Sequence, residues 1–179
     1  MIRMFISAGA MLALSTFALA EGETPAPLAK PGETFVSLQV QGCANKCPSF
    51  EIYVFDTGRM IFRSNNEYTA DKGVVHKSGM RSVYDRIAKY LQDTGALAEQ
   101  AECTAGKSDP SVATVQASQP QLQKASWSSG CTNQIEKGRS MVKVFVNQTG
   151  MWRLINSDTR YWEKYWEDPK MTGYSETSR

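Results

Sequence analysis

From Thr34 to Gln41 the chain alternates polar and apolar side chains, the period of a strand with one buried face. Gly42–Pro48 interrupts the alternation, and Phe50–Phe55 resumes with aromatic and β-branched residues. Asp56-Thr57-Gly58 reads as a hairpin turn into a returning strand at Arg59–Arg63. A further strand is expected at Glu67–Thr69 or at Gly73–Lys77. Ser78 follows as the N-cap of a helix in which Met80, Val83, Tyr84, Ile87 and Leu91 recur at helical spacing, with Gly95 as its stop. Ser111–Ser118 and Leu122–Ser128, parted by Gln119-Pro120-Gln121, predict a second hairpin. After Gly130-Cys131, the residues Ile135, Val142, Phe145 and Thr149 share a helical face ending at Gly150. Val144-Phe145-Val146 reads equally as a strand.

Strands, helix, strands, helix is the order of an α+β domain. It predicts an antiparallel sheet from two hairpin units with two helices packed on one face, braced by disulfides. Gly42-Cys43-Ala44-Asn45 and Gly130-Cys131-Thr132-Asn133 are alike, which raises a duplicated strand–strand–helix unit. The single domain is expected over 34–152. Residues 21–33 are proline-bearing and aperiodic, the pattern of a flexible leader. Residues 153–179 form an aromatic-rich C-terminal extension, expected to be partly disordered.

Met1–Ala20 changes the picture. Arg3 precedes an apolar run that closes on Ala18-Leu19-Ala20, the layout of a secretory signal peptide. The run from Met4 to Ala20 has 17 residues and includes Ser7, Ser15 and Thr16. A spanning helix needs about 20 mostly apolar residues, so no transmembrane segment is expected. Cleavage near Ala20 would place the chain in the periplasm or outside the cell. Lys and Arg number 20 against 18 acids, and removing Arg3 reduces the formal charge from +2 to +1. So small a charge gives no electrostatic grip on nucleic acid.

In that compartment Cys43, Cys47, Cys103 and Cys131 are expected in disulfides, and four cysteines allow three pairings. Cys43–Cys47 with Cys103–Cys131 is preferred, because the first pair needs only a tight turn. Loop-closure entropy gives the two bonds about 2 and about 3.6 kcal/mol. Two other readings stay open. A zinc site could use Cys43-x-x-x-Cys47 but lacks a second knuckle, and a redox pair would ordinarily have two intervening residues.

The stretch QVQGCANKCPSFEIYVFDTGRMIFRS carries a resemblance. It is similar to the signature of the domain-of-unknown-function family 6438, exported bacterial domains. That signature is a strand, a paired-cysteine turn followed by Pro and an aromatic, and a hairpin with an acid-x-Gly or acid-Gly turn. Gly42, Cys43, Cys47, Pro48, Phe50, Asp56 and Gly58 occupy those positions, and the similarity extends from Phe35 to about Trp152. Asn45 stands where the family tends to have Gly, and Cys103 and Cys131 are an additional pair. The resemblance implies the fold and export, and brings no activity.

Candidate chemistry is sparse. His76 is the one histidine, and no serine–histidine–acid set assembles around it from the order of residues. The acids Glu51, Asp56, Glu67, Asp71 and Asp85 are scattered. Ala105-Gly106-Lys107-Ser108 resembles the end of a phosphate loop, but Ala101 stands where its first glycine belongs. We expect no catalytic residue, no metal and no cofactor. Tyr161, Trp162, Tyr165 and Trp166 crowd four aromatics into a short stretch. They either fold back to cap the domain or contact a partner, because Tyr and Trp dominate contact energetics. The leading expectation is a non-catalytic binding module of the bacterial envelope, contacting a protein, lipid or glycan and no nucleic acid. The alternatives are a thiol–disulfide redox protein using Cys43 and Cys47, and a hydrolase with a site near His76.

Overall fold

The computed structural model describes residues 28–42, 47–64, 69–98, 102–103 and 111–155. The alternation in β1 (Phe35–Gln41) turns Val36, Leu38 and Val40 to one side, where all three are buried. β2 (Phe50–Phe55), β3 (Arg59–Ser64) and β4 (Gly73–Ser78) extend the sheet on one flank of β1, and β5 (Val112–Ala117) and β6 (Gln123–Ser128) on the other. The order is β4-β3-β2-β1-β5-β6, with every neighbouring pair antiparallel. The register aligns the apolar positions in rows across the strands. Phe62, Ile52, Leu38, Val115 and Ala125 form one such row, each 0% exposed. A one-residue slip of β1 would turn this row to the opposite face, so burial fixes the register.

Two helices cover that face. α1 (Arg81–Asp93) buries Val83, Ile87 and Leu91, and α2 (Ile135–Thr149) buries Met141, Val142, Phe145 and Val146 against the same core. Full burial of an apolar side chain of this size contributes roughly 1.5–3 kcal/mol. α1 ends as its pattern predicts. Gly95 has φ 56°, and the Ala96 N–H reaches back to Leu91 O, which satisfies the last carbonyls. The ambiguous Val144-Phe145-Val146 is helical. The architecture is therefore the α+β one expected, with Cys103 joined to Cys131 and a short third helix, α3 (Trp152–Ile155), added.

Two readings need correction, and the described contacts also extend a few residues beyond both ends of 34–152. Ser78 is the last residue of β4, paired with Arg59, and Met80 is the residue that precedes α1, without a side-chain cap. The β3–β4 ladder engages the backbone through Ser78, and the Gly79 N–H bonds Gly58 O, so the helix starts later. The two Gly-Cys segments mark no repeat: Gly42 follows β1 on the way to another strand, whereas Gly130-Cys131 leads into α2. Packing also runs past Trp152. Ile155 is 0% exposed, and Leu154 O and Ile155 O accept the Asp71 and Ala70 N–H groups. At the other end, contacts begin before 34. Glu33 lies 2.6 Å from Arg59, and the Lys30 N–H and that guanidinium hold its carboxyl below the ordinary range.

Gly58 shows why the first hairpin needs its glycine. Its φ is 85°, and a Cβ there would stand 2.5 Å from Gly79 O. Gly58→Ala is expected to cost about 2 kcal/mol or more, since strain at φ and a backbone clash add; thermal unfolding of the variant checks it. Gly42 is constrained by close approach instead: a Cβ would meet Cys47 O at 2.6 Å.

Candidate functional site

α1 presents a stripe of large apolar residues to the sheet, and the residues flanking that stripe are smaller or polar. Ala88 lies one turn on from Tyr84, both half-buried. The β5–β6 turn, with Gln119 and Pro120 exposed at its tip, stands opposite. Between them lies a groove of about 740 Å³. Val36, Leu91 and Ala117 supply its apolar interior, and Gly95, Leu97 and Ala98 line it beyond the end of α1. Gln92, Gln119 and Gln123 bring carboxamides to its wall. The size falls within the ~300–1,000 Å³ typical of small-ligand sites, and an apolar interior with a few polar groups is their usual make-up.

The electrostatics are balanced. Asp85 and Lys89 both line the groove, but Lys89 Nζ lies 2.8 Å from Asp93 and Arg81 lies 3.9 Å from Asp85. Exposed pairs of this kind contribute only about 0.3–0.5 kcal/mol, so either charge is readily released to a ligand. Tyr84 supplies a phenol whose pKa is raised, first by burial and then by the negative charges of Asp56 and Asp85. It remains a neutral hydrogen-bond donor across the physiological range. The groove therefore suits an amphipathic, nearly neutral ligand better than a strongly charged one.

The Cys103–Cys131 bond closes a separation of 28 residues with Cα atoms 5.2 Å apart. It fastens the segment that follows the groove wall to the start of α2. Asn133 Nδ2 donates to Glu102 O at 2.9 Å, and Gln134 Oε1 accepts the Ser128 N–H. Cys131 is 4% exposed and Cys47 2%. Cys47 is disulfide-bonded; its expected partner Cys43 lies outside the described residues.

The remaining predicted positions are dispersed. His76 is exposed on β4, on the face opposite the helices, directly across from Ile61. Arg59 and Arg63 are its diagonal neighbours on β3. A catalytic histidine is ordinarily oriented by a carboxylate, and Glu51, the acid on this face of β2, is engaged by Arg63 at 2.7 Å. Among the described residues no group of three or more His, Cys, Asp or Glu could hold a metal ion. No described helix is long and apolar enough to cross a membrane. Tyr161, Trp162, Tyr165 and Trp166, like the Gly106-Lys107-Ser108 stretch and Met1–Ala20, lie outside the described residues.

Sequence reasoning missed the groove because it arises where two distant segments meet. The small side chain of Ala88 beside the buried stripe was the only local sign. Residues 34–145, from the start of β1 into α2, match the model of a family described as Domain of unknown function (DUF6438). No curated protein matches the chain.

Proposed function

We propose that this chain, which belongs to the DUF6438 family of domains of unknown function, is a non-catalytic binding module of the bacterial envelope. On this reading Met1–Ala20 is removed near Ala20 and the domain works in the periplasm or outside the cell. The observation that carries the proposal is the groove between α1 and the β5–β6 turn. It offers apolar contact area, carboxamides and a neutral phenol, the means of holding part of an envelope protein, lipid or glycan. Among the described residues its lining holds one carboxylate, Asp85, and no cysteine, serine or histidine.

The competing readings draw less support. Thiol–disulfide exchange through Cys43 and Cys47 needs an accessible sulfur, and Cys47 is 2% exposed. A hydrolase near His76 would work beside two arginines instead of an orienting acid.

Ala88→Trp fills the groove from a half-buried position on α1 and leaves the buried side chains Val83, Ile87 and Leu91 in place. Envelope extract separated into protein, lipid and glycan pools is passed over the immobilised chain and over this variant. The expected result is a component retained by the first and lost from the second, with thermal unfolding unchanged. Equal retention by both would refute the groove as the binding site.

A further inference from the structure

The two edges of the sheet are finished differently. In an antiparallel ladder alternate residues turn their N–H and C=O toward the neighbouring strand, and the residues between them turn theirs outward. The Gly79 N–H bonds Gly58 O in the β3–β4 register. Val75 and Lys77 therefore also face β3, and Val74, His76 and Ser78 present their backbone groups to the outside. On β6 the Ser129 N–H bonds Ser111 O, which leaves Lys124, Ser126 and Ser128 outward by the same rule. There the Ser128 N–H is taken by Gln134 Oε1 at 2.9 Å, and an exposed lysine, Lys124, stands on the strand. Natural edges are blunted in this way against pairing with another strand. β4 has no such device. It carries no proline, and its one lysine, Lys77, is drawn away to Thr149 O at 3.0 Å. Among the described residues nothing bonds the outward groups of Val74, His76 and Ser78.

We propose that β4 is a dimerisation edge, to which a second copy of this chain adds its own β4, antiparallel about a two-fold axis at His76. In that register the outward groups match themselves. His76 pairs with His76 of the second copy, Val74 with its Ser78 and Ser78 with its Val74, each pair exchanging both of its hydrogen bonds. The neighbouring registers are worse. Centring on Lys77 sets two lysines directly opposite each other, which repels. Centring on Val75 moves Ser78 alongside Lys72 of the other copy, where the edge is closed: the adjacent Ala70 and Asp71 N–H groups are already bonded to Ile155 O and Leu154 O.

The side chains argue for a second copy as the occupant. Val74 is 48% exposed and Met80 71%, and with Leu122 they are the large apolar residues most exposed among the described ones. Both project away from the helices, because Val75 packs against the core and a Cβ on Gly79 would meet Met60. Met80 keeps an extended backbone, with φ −83° and ψ 144°. The two-fold sets Met80 of each copy diagonally across from Val74 of the other, roughly 7–8 Å away, a gap that long side chains bridge. Each copy thus covers what the other exposes. At the ends Arg81 of one copy approaches Asp71 of the other, opposite in sign, and the Lys72 stem lies along Met80. A single strand pair belongs among the small interfaces, under about 1,200 Å², so the dimer is weak and concentration-dependent. The groove lies toward the β5–β6 flank and stays open in the pair.

The test is sedimentation velocity, from about 1 μM to about 1 mM, on the full chain and on full chains carrying H76K or H76E, at a position exposed in the single copy. The unaltered chain is expected to pass from monomer to dimer across that range. Like charges meeting on the axis should weaken association about tenfold or more in either variant. An equimolar mixture of the two should restore it, because opposite charges then meet. Amide exchange at Val74, His76 and Ser78 should slow with rising concentration in the unaltered chain and not in H76K. A monomer throughout would overturn the proposal, as would a dimer that both variants retain or a mixture that stays apart. Slow exchange at those amides independent of concentration would show the edge covered within one copy, and overturns it as well.

Discussion

Phe145→Ala lowers the unfolding free energy by about 3–5 kcal/mol, the range for truncating a buried phenylalanine, and urea denaturation at an unchanged slope reads the loss. Phe145 is 0% exposed in α2, where it joins Val142 and Val146 in the core, the helix packing over β6, β5 and β1. Natural domains retain only about 5–15 kcal/mol, so this one substitution removes a large fraction of the total. The prediction also tests the assignment of Val144-Phe145-Val146. In a strand with one exposed face, Phe145 and Val146 would point to opposite sides and could not both be core residues. In the helix both are 0% exposed, and Val146→Ala should also be costly, although less so. An unaffected midpoint for Phe145→Ala would mean that α2 does not pack as described.

Replacing Cys103 and Cys131 together by serine is expected to cost about 3.6 kcal/mol, from the loop entropy restored to the unfolded chain. The separation of 28 residues sets that figure. The folded state also loses the tie between residue 103 and the start of α2, so the loss should be accompanied by faster proteolysis between Ala98 and Ser111. Urea midpoints of the oxidised chain and the double variant decide it. A difference near zero would show that the contact between Asn133 and Glu102, together with α2 packing, holds this region without the covalent bond.

The strands were legible because their apolar residues recur at the period of a pleated surface. Val36, Leu38 and Val40 announce β1, and Ile52 and Val54 announce β2, since only one face of each can be buried. Asp56-Thr57-Gly58 was legible from turn chemistry, and Gly95 and Gly150 from the left-handed backbone that ends a helix. Ser78 misled because a serine before an apolar periodic run is a good cap in isolation. Nothing local says that a neighbouring strand already holds its backbone.

The strand order was illegible for a deeper reason. Pairing β1 with β5 joins Val36 to Ala117 across α1 and three other strands, and no local pattern encodes so distant a partner. The groove follows from that pairing, which brings the β5–β6 turn alongside α1, and so it too was out of reach. The pairing of Cys103 with Cys131 was legible from spacing: four cysteines allow three pairings, and Cys43 and Cys47 need only a tight turn to meet, which leaves Cys103 for Cys131.

Placing β1 in the middle of the sheet has a consequence for how the protein is made. β1 is the first of the described strands to leave the ribosome, yet its partner β5 comes after three further strands and α1, so the sheet cannot close until residues through Ala117 have emerged. Contacts of such long separation are slow to form because loop closure must precede them. Until that stretch is made, only the β1–β2–β3–β4 pairings are available, and the edge of β1 that faces β5 stays open.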